Sequence, residues 1–276
     1  MNALPERQQA VCGGQRLSWR EAGQGRPVLL LHGISSGSAS WLKQFADAQL
    51  LDGHRLIAWD APGYGASDAL ASAEPLAADY AGALAALVSH LGLHQPLLVG
   101  HSLGALMGSA YAAACPDGLC GLALADPAQG YAMADAQKRR QVFEQRQQMM
   151  HTLGPQGYGE QRAAALLRAD ADPQDIAWVR RGMQQLHPDG FLSAAWMLAN
   201  DDINGYLARY RGPLQVWCGE QDAITPPAAA EALAARQDAP LHLIAAAGTP
   251  AILTRRRALT ALCGTLREQF NHEFPD

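Results

Sequence analysis

The sequence predicts an α/β protein with a doubly wound, mostly parallel sheet and an inserted helical cap. Short apolar runs recur along the 276 residues, and such runs are typical of strands buried on both faces of a parallel sheet. Helix-sized stretches separate these runs, which indicates right-handed strand–helix crossovers. One stretch, residues 127–212, has no strand-like run and interrupts the alternation.

The elements follow in order along the chain. Residues 8–25 alternate weakly around two glycine pairs and are predicted to form an antiparallel hairpin. Six strands are predicted after it, at residues 27–33, 55–60, 96–102, 121–126, 213–219 and 240–248. Helices are predicted between and after them, at residues 38–51, 76–92, 103–115, 226–237 and 254–270.

Residues 127–212 are predicted to be the cap, and residues 1–126 and 213–276 to be the core. The cap divides into about four helices at Gly154-Pro155, Asp172-Pro173 and His187-Pro188. Because it is inserted at the carboxyl edge of the sheet, it would roof the crevice where open α/β folds bind ligands. The candidate pocket residues are Ser35, Trp41, Tyr131 and Trp196.

The motif V-G-H-S-L-G-A, residues 99–105, is predicted to carry a nucleophile. It has the G-x-S-x-G form, it follows an apolar strand, and an Ala- and Leu-rich stretch with helical spacing follows it. Gly100 and Gly104 leave room for a strained turn that lifts Ser102 above the sheet edge. The alternative at this point is a tight turn between glycines with an idle serine.

Two backbone amides are predicted to form an oxyanion hole beside Ser102. The Leu103 N–H lies at a helix N-terminus, where unpaired donors and the helix dipole favour a negative oxygen. The turn L-L-H-G-I-S-S, residues 30–36, would aim the Ile34 N–H at the same point. Such serine chemistry needs no metal or organic cofactor, and we expect neither.

These motifs make the chain resemble the α/β-hydrolase superfamily, as do W-D-A-P-G-Y-G-A-S-D at residues 59–68 and G-E-Q-D-A-I-T-P-P at residues 219–227. More narrowly, it resembles small capped bacterial members: enol-lactonases, meta-cleavage-product hydrolases and related esterases. The resemblance implies Ser102 as nucleophile and Asp222 as triad acid, with Asp126 as the alternative acid. It also implies a base in a Gly-His pair after the last strand, where this chain has Gly248-Thr249.

Thr249 leaves the implied triad without a base. A threonine hydroxyl is no more basic than that of serine, so it cannot take the serine proton and return it to the leaving group at neutral pH. We therefore predict weak or atypical hydrolysis. Residues 254–257 read T-R-R-R where relatives commonly carry Glu-x-Pro. That drift favours natural divergence over a substitution made in the laboratory, and both alternatives stay open.

Two histidines of the cap are the alternative bases: His187 is the first choice and His151 the second. His32 and His101 belong to the turns around the nucleophile, and we expect both to be structural. Asp222 also has a second interpretation, because a carboxylate at its position can bond the turn amides before Thr225-Pro226.

Composition excludes several functional classes. The formal charge of −5 and the scattered arginines argue against a nucleic-acid partner. Five cysteines without a C-x-x-C pair argue against a disulfide framework and a zinc site, and favour the cytoplasm. No stretch approaches about eighteen apolar residues, so we expect no membrane partner. The basic residues at 138–146 and Arg180-Arg181 are predicted to be solvated helix faces.

Two hypotheses about function follow. In the first, the protein is a hydrolase that uses Ser102 on a small ester, lactone or C–C bond substrate. In the second, it is a degenerate or repurposed member whose pocket binds a small molecule. A basic side chain close to Ser102 would favour the first hypothesis.

Overall fold

The computed structural model describes residues 4–167, 170–245 and 259–264. This part of the chain forms one eight-stranded sheet in the order β1-β2-β4-β3-β5-β6-β7-β8. β1 and β2 form the predicted hairpin, β2 also pairs antiparallel with β4, and all other neighbours are parallel. The strands are β1 (Arg7–Cys12), β2 (Gln15–Ala22), β3 (Arg26–Leu31), β4 (His54–Asp60), β5 (Leu97–His101), β6 (Gly121–Ala125), β7 (Leu214–Gly219) and β8 (Leu241–Ile244). The predicted fold class is confirmed.

Helices cover both faces of the sheet. They are α1 (Leu42–Phe45), α2 (Ala48–Gly53), α3 (Ala77–His90), α4 (Leu103–Ala114), α5 (Ala136–Arg162), α6 (Pro173–Gln184), α7 (Pro188–Asn200), α8 (Ile203–Leu207) and α9 (Pro227–Gln237). Residues 259–264 are also helical. Among these helices, none is both long enough and apolar enough to cross a membrane.

The core has two layers because alternate residues of each strand point to opposite faces of the sheet. On β3, Leu29 and Leu31 join the cluster that contains α3, α4 and the helices between β6 and β7. Val28 and Leu30 join the other cluster, together with Trp41, Phe45 and the 259–264 helix. Burial of the strands on both faces explains why they are continuously apolar in sequence.

The predicted helix at residues 38–51 is instead three short pieces, a correction with a local cause. Ser38–Trp41 is a 3₁₀ turn, and α1 ends at Phe45, with Ala46 as its C-cap. The Asp47 side chain then accepts hydrogen bonds from Gln49 N and Leu50 N, and so caps α2. The apolar side chains of all three pieces pack on the same core cluster. Their spacing in the sequence therefore resembles that of a single helix.

The segment between β6 and β7 is helical, and its three predicted breaks are confirmed. Gly154 interrupts α5 with φ 58° and ψ −179°, a conformation available to glycine. Asp172 caps α6 with its side chain, and His187 stands at the N-cap of α7, each just before a proline. The assignment of residues 127–212 to a separate cap domain stays a prediction; we call these residues the cap segment.

Candidate active site

Ser102 lies at the junction between β5 and α4 in a strained conformation. Its φ is 52° and its ψ is −117°, and such positive φ values are uncommon outside glycine. Hydrogen bonds hold it there, since its N–H donates to Ala125 O at 2.9 Å and its carbonyl accepts from Ala128 N at 3.1 Å. The side chain is half-buried. The predicted nucleophile therefore has the strand–turn–helix setting that the G-x-S-x-G motif requires.

Two glycines allow α4 to approach the sheet directly behind Ser102. A Cβ on Gly100 would lie 2.5 Å from Gly104 O, and a Cβ on Gly104 would lie 2.5 Å from Leu31 O. These are contacts with backbone, which cannot rotate away as a side chain can. The helix that presents Ser102 is thus held against β3 and β5 by contacts that only glycine permits.

We expect Gly104→Ala to lower the free energy of unfolding by about 1–3 kcal/mol, because the added methyl group would force α4 away from β3. Gly82→Ala is the matched control, since Gly82 lies inside α3 with nothing within 4 Å of an added Cβ. The free energy of unfolding of that control should rise by about 0.5–1 kcal/mol, because alanine has a higher helix propensity than glycine. Denaturant unfolding checks both, and equal stability of the two variants would contradict the argument.

The turn after β3 lies against the nucleophile. A Cβ on Gly33 would lie 3.1 Å from Ser102 Cβ. His32 holds the turn, because its Nδ1 lies 2.9 Å from Gly33 O and its Nε2 accepts from Ala61 N at 3.0 Å. Burial lowers the pKa of His32, in line with its expected structural role. Within the described residues, neither the Ile34 N–H nor the Leu103 N–H donates to another group, so both are free to stabilise an oxyanion.

Both candidate acids are buried near the elbow. Asp222 Oδ1 accepts from Ile224 N at 2.7 Å and from Thr225 N at 2.8 Å, and its Oδ2 accepts from Thr225 Oγ1 at 2.8 Å. Asp222 thus makes the bonds to turn amides that its second interpretation predicts. Asp126 Oδ1 accepts from Gly219 N at 3.0 Å. Backbone amides thus hold both carboxylates at the carboxyl edge of the sheet.

Cys218 lies between these carboxylates. Its sulfur, one oxygen of Asp126 and one oxygen of Asp222 all lie within 4.8 Å of one another. Burial, followed by the two aspartates, raises the pKa of the Cys218 thiol to about 12. The thiol donates to Thr225 O at 3.4 Å. This bond ties Cys218 to the loop that carries Asp222.

His101, the residue before the nucleophile, is buried. It is 5% exposed, and within the described part of the chain neither ring nitrogen has a hydrogen-bond partner. Its Nδ1 lies 3.3 Å from where a Cβ on Gly33 would be, and its Nε2 lies 3.9 Å from Asp126 Oδ2. The ring therefore stands between the oxyanion turn and an acid. Burial lowers the pKa of His101 to about 4, against an opposing effect of Asp222, so the ring is neutral at pH 7 and forms no ion pair.

We expect the free energy of unfolding to fall as the pH is lowered from about 6.5 to about 4, by up to about 3 kcal/mol from His101 alone. Over that range the unfolded imidazole binds a proton that the buried one rejects, so the unfolded state binds more protons and acid destabilises the fold. His101→Gln should flatten this dependence, and His151→Gln, at an exposed site, should leave it intact. Urea unfolding at several pH values measures it, and parallel curves for all three proteins would contradict it.

The structure places the two alternative bases at the surface. His187 is exposed, and its Nε2 lies 3.0 Å from Gly65 O, which fixes the start of α7 on the loop after β4. His151 is exposed on α5. Neither makes a contact with Ser102 within the described residues. Thr249, the position of the expected base, lies outside the described residues.

The four candidate pocket residues are in different settings. Ser35 is half-buried and bonds Tyr158 OH through its Oγ at 2.8 Å, which links the oxyanion turn to α5. Trp196 is half-buried and packs edge-on against Phe143 at 5.4 Å, and Tyr131 is 37% exposed. Trp41 has no exposed surface and packs in the core cluster that contains Val28 and Leu30, which is the setting of a core residue.

Comparison with known proteins agrees with this geometry. Residues 26–254 match the family described as the alpha/beta hydrolase fold. A curated relative, the proposed carbamate hydrolase RutD of Enterobacter cloacae, is 27% identical over 211 residues, which cover 72% of this chain and 74% of the relative. RutD of an Escherichia coli strain is 28% identical over 224 residues, covering 75% of this chain and 74% of that protein.

Solved structures show the same fold. An esterase from Thermogutta terrifontis, solved with malate bound, superposes with a TM-score of 0.83 at 26% identity, over 95% of this chain and 98% of that chain. The enol-lactonase of Burkholderia xenovorans superposes with a TM-score of 0.76 at 20% identity, over 96% of this chain and 98% of that chain. At the lower identity, the likeness shows the fold alone.

Proposed function

We propose that this chain, which belongs to the α/β hydrolase fold family, is a cytoplasmic serine hydrolase that acts weakly on a small ester, lactone or C–C bond substrate. One observation carries the proposal. Ser102 is held in a strained turn, and the amides of Ile34 and Leu103 beside it have no other partner within the described residues. A strained backbone at a nucleophile and unused amide donors next to it are typical of sites that catalyse acyl transfer.

In this proposal Ser102 Oγ attacks the substrate carbonyl, and the Ile34 and Leu103 amides stabilise the negative oxygen that forms. The amides are in place before the reaction begins, so they need no rearrangement as charge develops. Asp222 is the proposed triad acid and Asp126 the alternative. With Thr249 in place of histidine, no imidazole at that position takes the serine proton, which is why we propose a low turnover.

The relatives support the reaction class. The names of the relatives described above include a carbamate hydrolase, an esterase and an enol-lactonase. Each of these reactions begins with attack on an acyl carbon. All five cysteines are free, which supports the cytoplasm as its location.

A second candidate function is binding of a small molecule without turnover. The observation that favours it is the bonding of Asp222, whose two carboxylate oxygens both serve the turn before Pro226. A carboxylate that holds a turn and no longer orients a base would indicate a site that has lost its catalytic activity.

Hydrolysis of a short-chain aryl ester series, with mass spectrometry of the protein during turnover, tests the proposal. An acyl group on Ser102 together with product release supports the hydrolase. Binding of the esters without an acyl group or product would favour the second candidate.

A further inference from the structure

The oxyanion turn, residues 33–36, carries the Ile34 donor in a tightly bonded backbone. The Ser36 N–H closes the turn by donating to Gly33 O at 3.2 Å, and the Ser36 hydroxyl donates to the same oxygen at 3.1 Å. Gly33 O and the Ile34 N–H belong to one peptide unit, whose atoms lie in a plane. Bonds that hold Gly33 O therefore also set the direction of the Ile34 N–H.

Two tyrosines from different segments hold the central peptide of this turn, which joins Ile34 to Ser35. The Tyr64 hydroxyl, on the loop after β4, donates to Ile34 O at 2.8 Å. The Tyr158 hydroxyl, on α5, lies 2.8 Å from Ser35 Oγ and bonds it. Burial raises the pKa of Tyr64 well above its usual value, so its hydroxyl keeps the proton that it donates. One tyrosine thus bonds the carbonyl of the central peptide, and the other bonds the side chain that follows it.

Tyr158 is itself fixed by the packing of the cap segment. It is 7% exposed, and its ring packs edge-on against Phe191 of α7 at 5.2 Å. It lies in the second half of α5, after the break at Gly154. The next residue, Gly159, allows α5 to approach α6 closely, because a Cβ there would lie 2.9 Å from Arg180 O. The position of the Tyr158 hydroxyl therefore depends on how three cap-segment helices pack together.

The segments that carry the two tyrosines are joined where α7 begins. A Cβ on Gly190 of α7 would clash with Gly63 O on the loop after β4. On the same loop, Gly65 O lies 3.0 Å from His187 Nε2. These contacts hold the loop that carries Tyr64 against α7, on which the Tyr158 ring packs. The contacts therefore form a closed ring that runs from the oxyanion turn through α5, α7 and the loop after β4 back to the turn.

We propose that Tyr158 is a positioning residue, which holds the oxyanion turn in place through Ser35, so that the cap segment helps to assemble the oxyanion hole. The inference rests on the proposed function, since it assigns a supporting residue to that site. Tyr158 touches no reacting atom and acts only through the turn. An oxyanion hole is effective because its donors are already in place when charge develops, so a turn that moves among several conformations weakens it.

Hydrogen–deuterium exchange tests the positioning without requiring turnover. Tyr158→Phe removes the hydroxyl that bonds Ser35 and keeps the aromatic ring. We expect the Ser36 N–H, which closes the turn, to exchange about 2- to 10-fold faster in this variant, while amides of β3 and α4 keep their wild-type rates. Tyr210→Phe is the matched control. It removes another buried phenol, which donates to Pro213 O at 3.2 Å, and it should leave exchange in the turn unchanged.

Kinetics with 4-nitrophenyl acetate show whether the held turn serves the reaction. Loss of an oxyanion donor costs about 100- to 1000-fold in kcat, and a loosened donor should cost less. We expect Tyr158→Phe to lower kcat about 3- to 30-fold and to change KM less than about twofold, because the donor acts on the transition state. Ser35→Ala should have the same effect, whereas Ser35→Thr, which keeps a hydroxyl, should retain most of the activity. Tyr210→Phe should change neither constant.

A double-mutant cycle separates positioning from a general loss of packing. Tyr158→Phe and Ser35→Ala remove the same bond, so the double variant should lose no more kcat than either single variant. Additive losses would overturn the proposal, as would unchanged Ser36 exchange in Tyr158→Phe or an equal increase in Tyr210→Phe. A rise in KM without a fall in kcat would also overturn it, because it would indicate contact with the substrate.

Failure of the proposed function has a different signature. In that case the wild type and all variants release no product, while the difference in Ser36 exchange between Tyr158→Phe and Tyr210→Phe remains. If Tyr158→Phe does not fold, Ser35→Ala removes the same bond from a half-buried position and supports both measurements. Exchange of the β3 and α4 amides at wild-type rates verifies that each variant is folded.

Discussion

Ser102→Ala is expected to abolish the acyl adduct on the protein and to reduce aryl-ester hydrolysis to the background set by binding and the oxyanion hole. The variant keeps the backbone of the elbow, because alanine and serine have similar demands at φ 52°. It removes only the attacking oxygen. The size of the loss measures how much of the wild-type rate depends on a covalent intermediate at Ser102. We expect at least about a tenfold fall in kcat.

Ser109→Ala is the matched control for that measurement. Ser109 is fully buried on α4, and its hydroxyl donates to Ala105 O at 2.8 Å, so it is a serine of the same helix turned away from the chemistry. Its loss should leave the rate and the adduct unchanged. An equal rate in the wild type and in Ser102→Ala would exclude Ser102 as the nucleophile, whatever the control shows.

The modest size of the expected loss follows from the missing base. In serine hydrolases whose triad is dismantled one residue at a time, loss of the histidine alone costs about as much as loss of all three members, on the order of a millionfold. A residual acceleration of about a thousand- to ten-thousandfold over water survives from the oxyanion hole and binding. In the proposed function, the wild-type chain, with Thr249, would therefore start close to that residual.

The parts of the molecule that could be predicted from sequence are those in which a local pattern determines the backbone. The strands are continuously apolar because both faces are buried. The elbow can be predicted because the close approach of helix and sheet requires Gly100 and Gly104, where an added Cβ would clash with backbone. The breaks before Pro155, Pro173 and Pro188 follow from the chemistry of proline itself. The prediction of one helix is wrong for residues 38–51, because the Asp47 side chain caps a new helix inside a stretch whose apolar spacing indicates a single one.

The parts that could not be predicted depend on contacts between distant segments. Nothing near the half-buried Arg146 in the sequence distinguishes it from exposed neighbours such as Arg140, because burial on α5 depends on which face of the helix packs against α6 and α7. His101 likewise has an apolar strand before it and a helix after it, which reveal neither its unbonded ring nor its distance to Asp126. The place of His187 between apolar helices makes it a candidate base, and the sequence does not show that its ring lies against Gly65 O.

Thr249→His is expected to raise kcat for aryl esters about a hundred- to ten-thousandfold, the usual contribution of a positioned general base. The other parts of the proposed machinery lie in the described residues: the strained Ser102, the amides of Ile34 and Leu103, and two buried carboxylates. The pH dependence provides a signature. The variant should gain a rise in rate centred near the ordinary histidine pKa of about 6.5. Thr249→Asn, which is polar but not basic near neutral pH, should gain nothing.

The same variant decides which carboxylate orients the base. Asp126 and Asp222 each contribute an oxygen to one cluster within 4.8 Å, so proximity alone does not separate them. In the Thr249→His background, we expect Asp222→Asn to remove most of the gain and Asp126→Asn to remove less. The reverse order would assign the acid to Asp126. Neither substitution should matter much in the wild type, because a carboxylate that orients a base has nothing to orient when the base is absent.

A failure of Thr249→His to raise the rate has a physical interpretation that can itself be tested. Pro250 follows the substituted position, and a proline disfavours the helical backbone region for the residue before it. A histidine there could be present and still be aimed away from Ser102. Thr249→His combined with Pro250→Ala separates the two cases. A gain in the double variant alone would mean that the backbone at position 249 directs the histidine away from Ser102. No gain in either, with ester binding retained, would mean that the site now binds its ligand without chemistry.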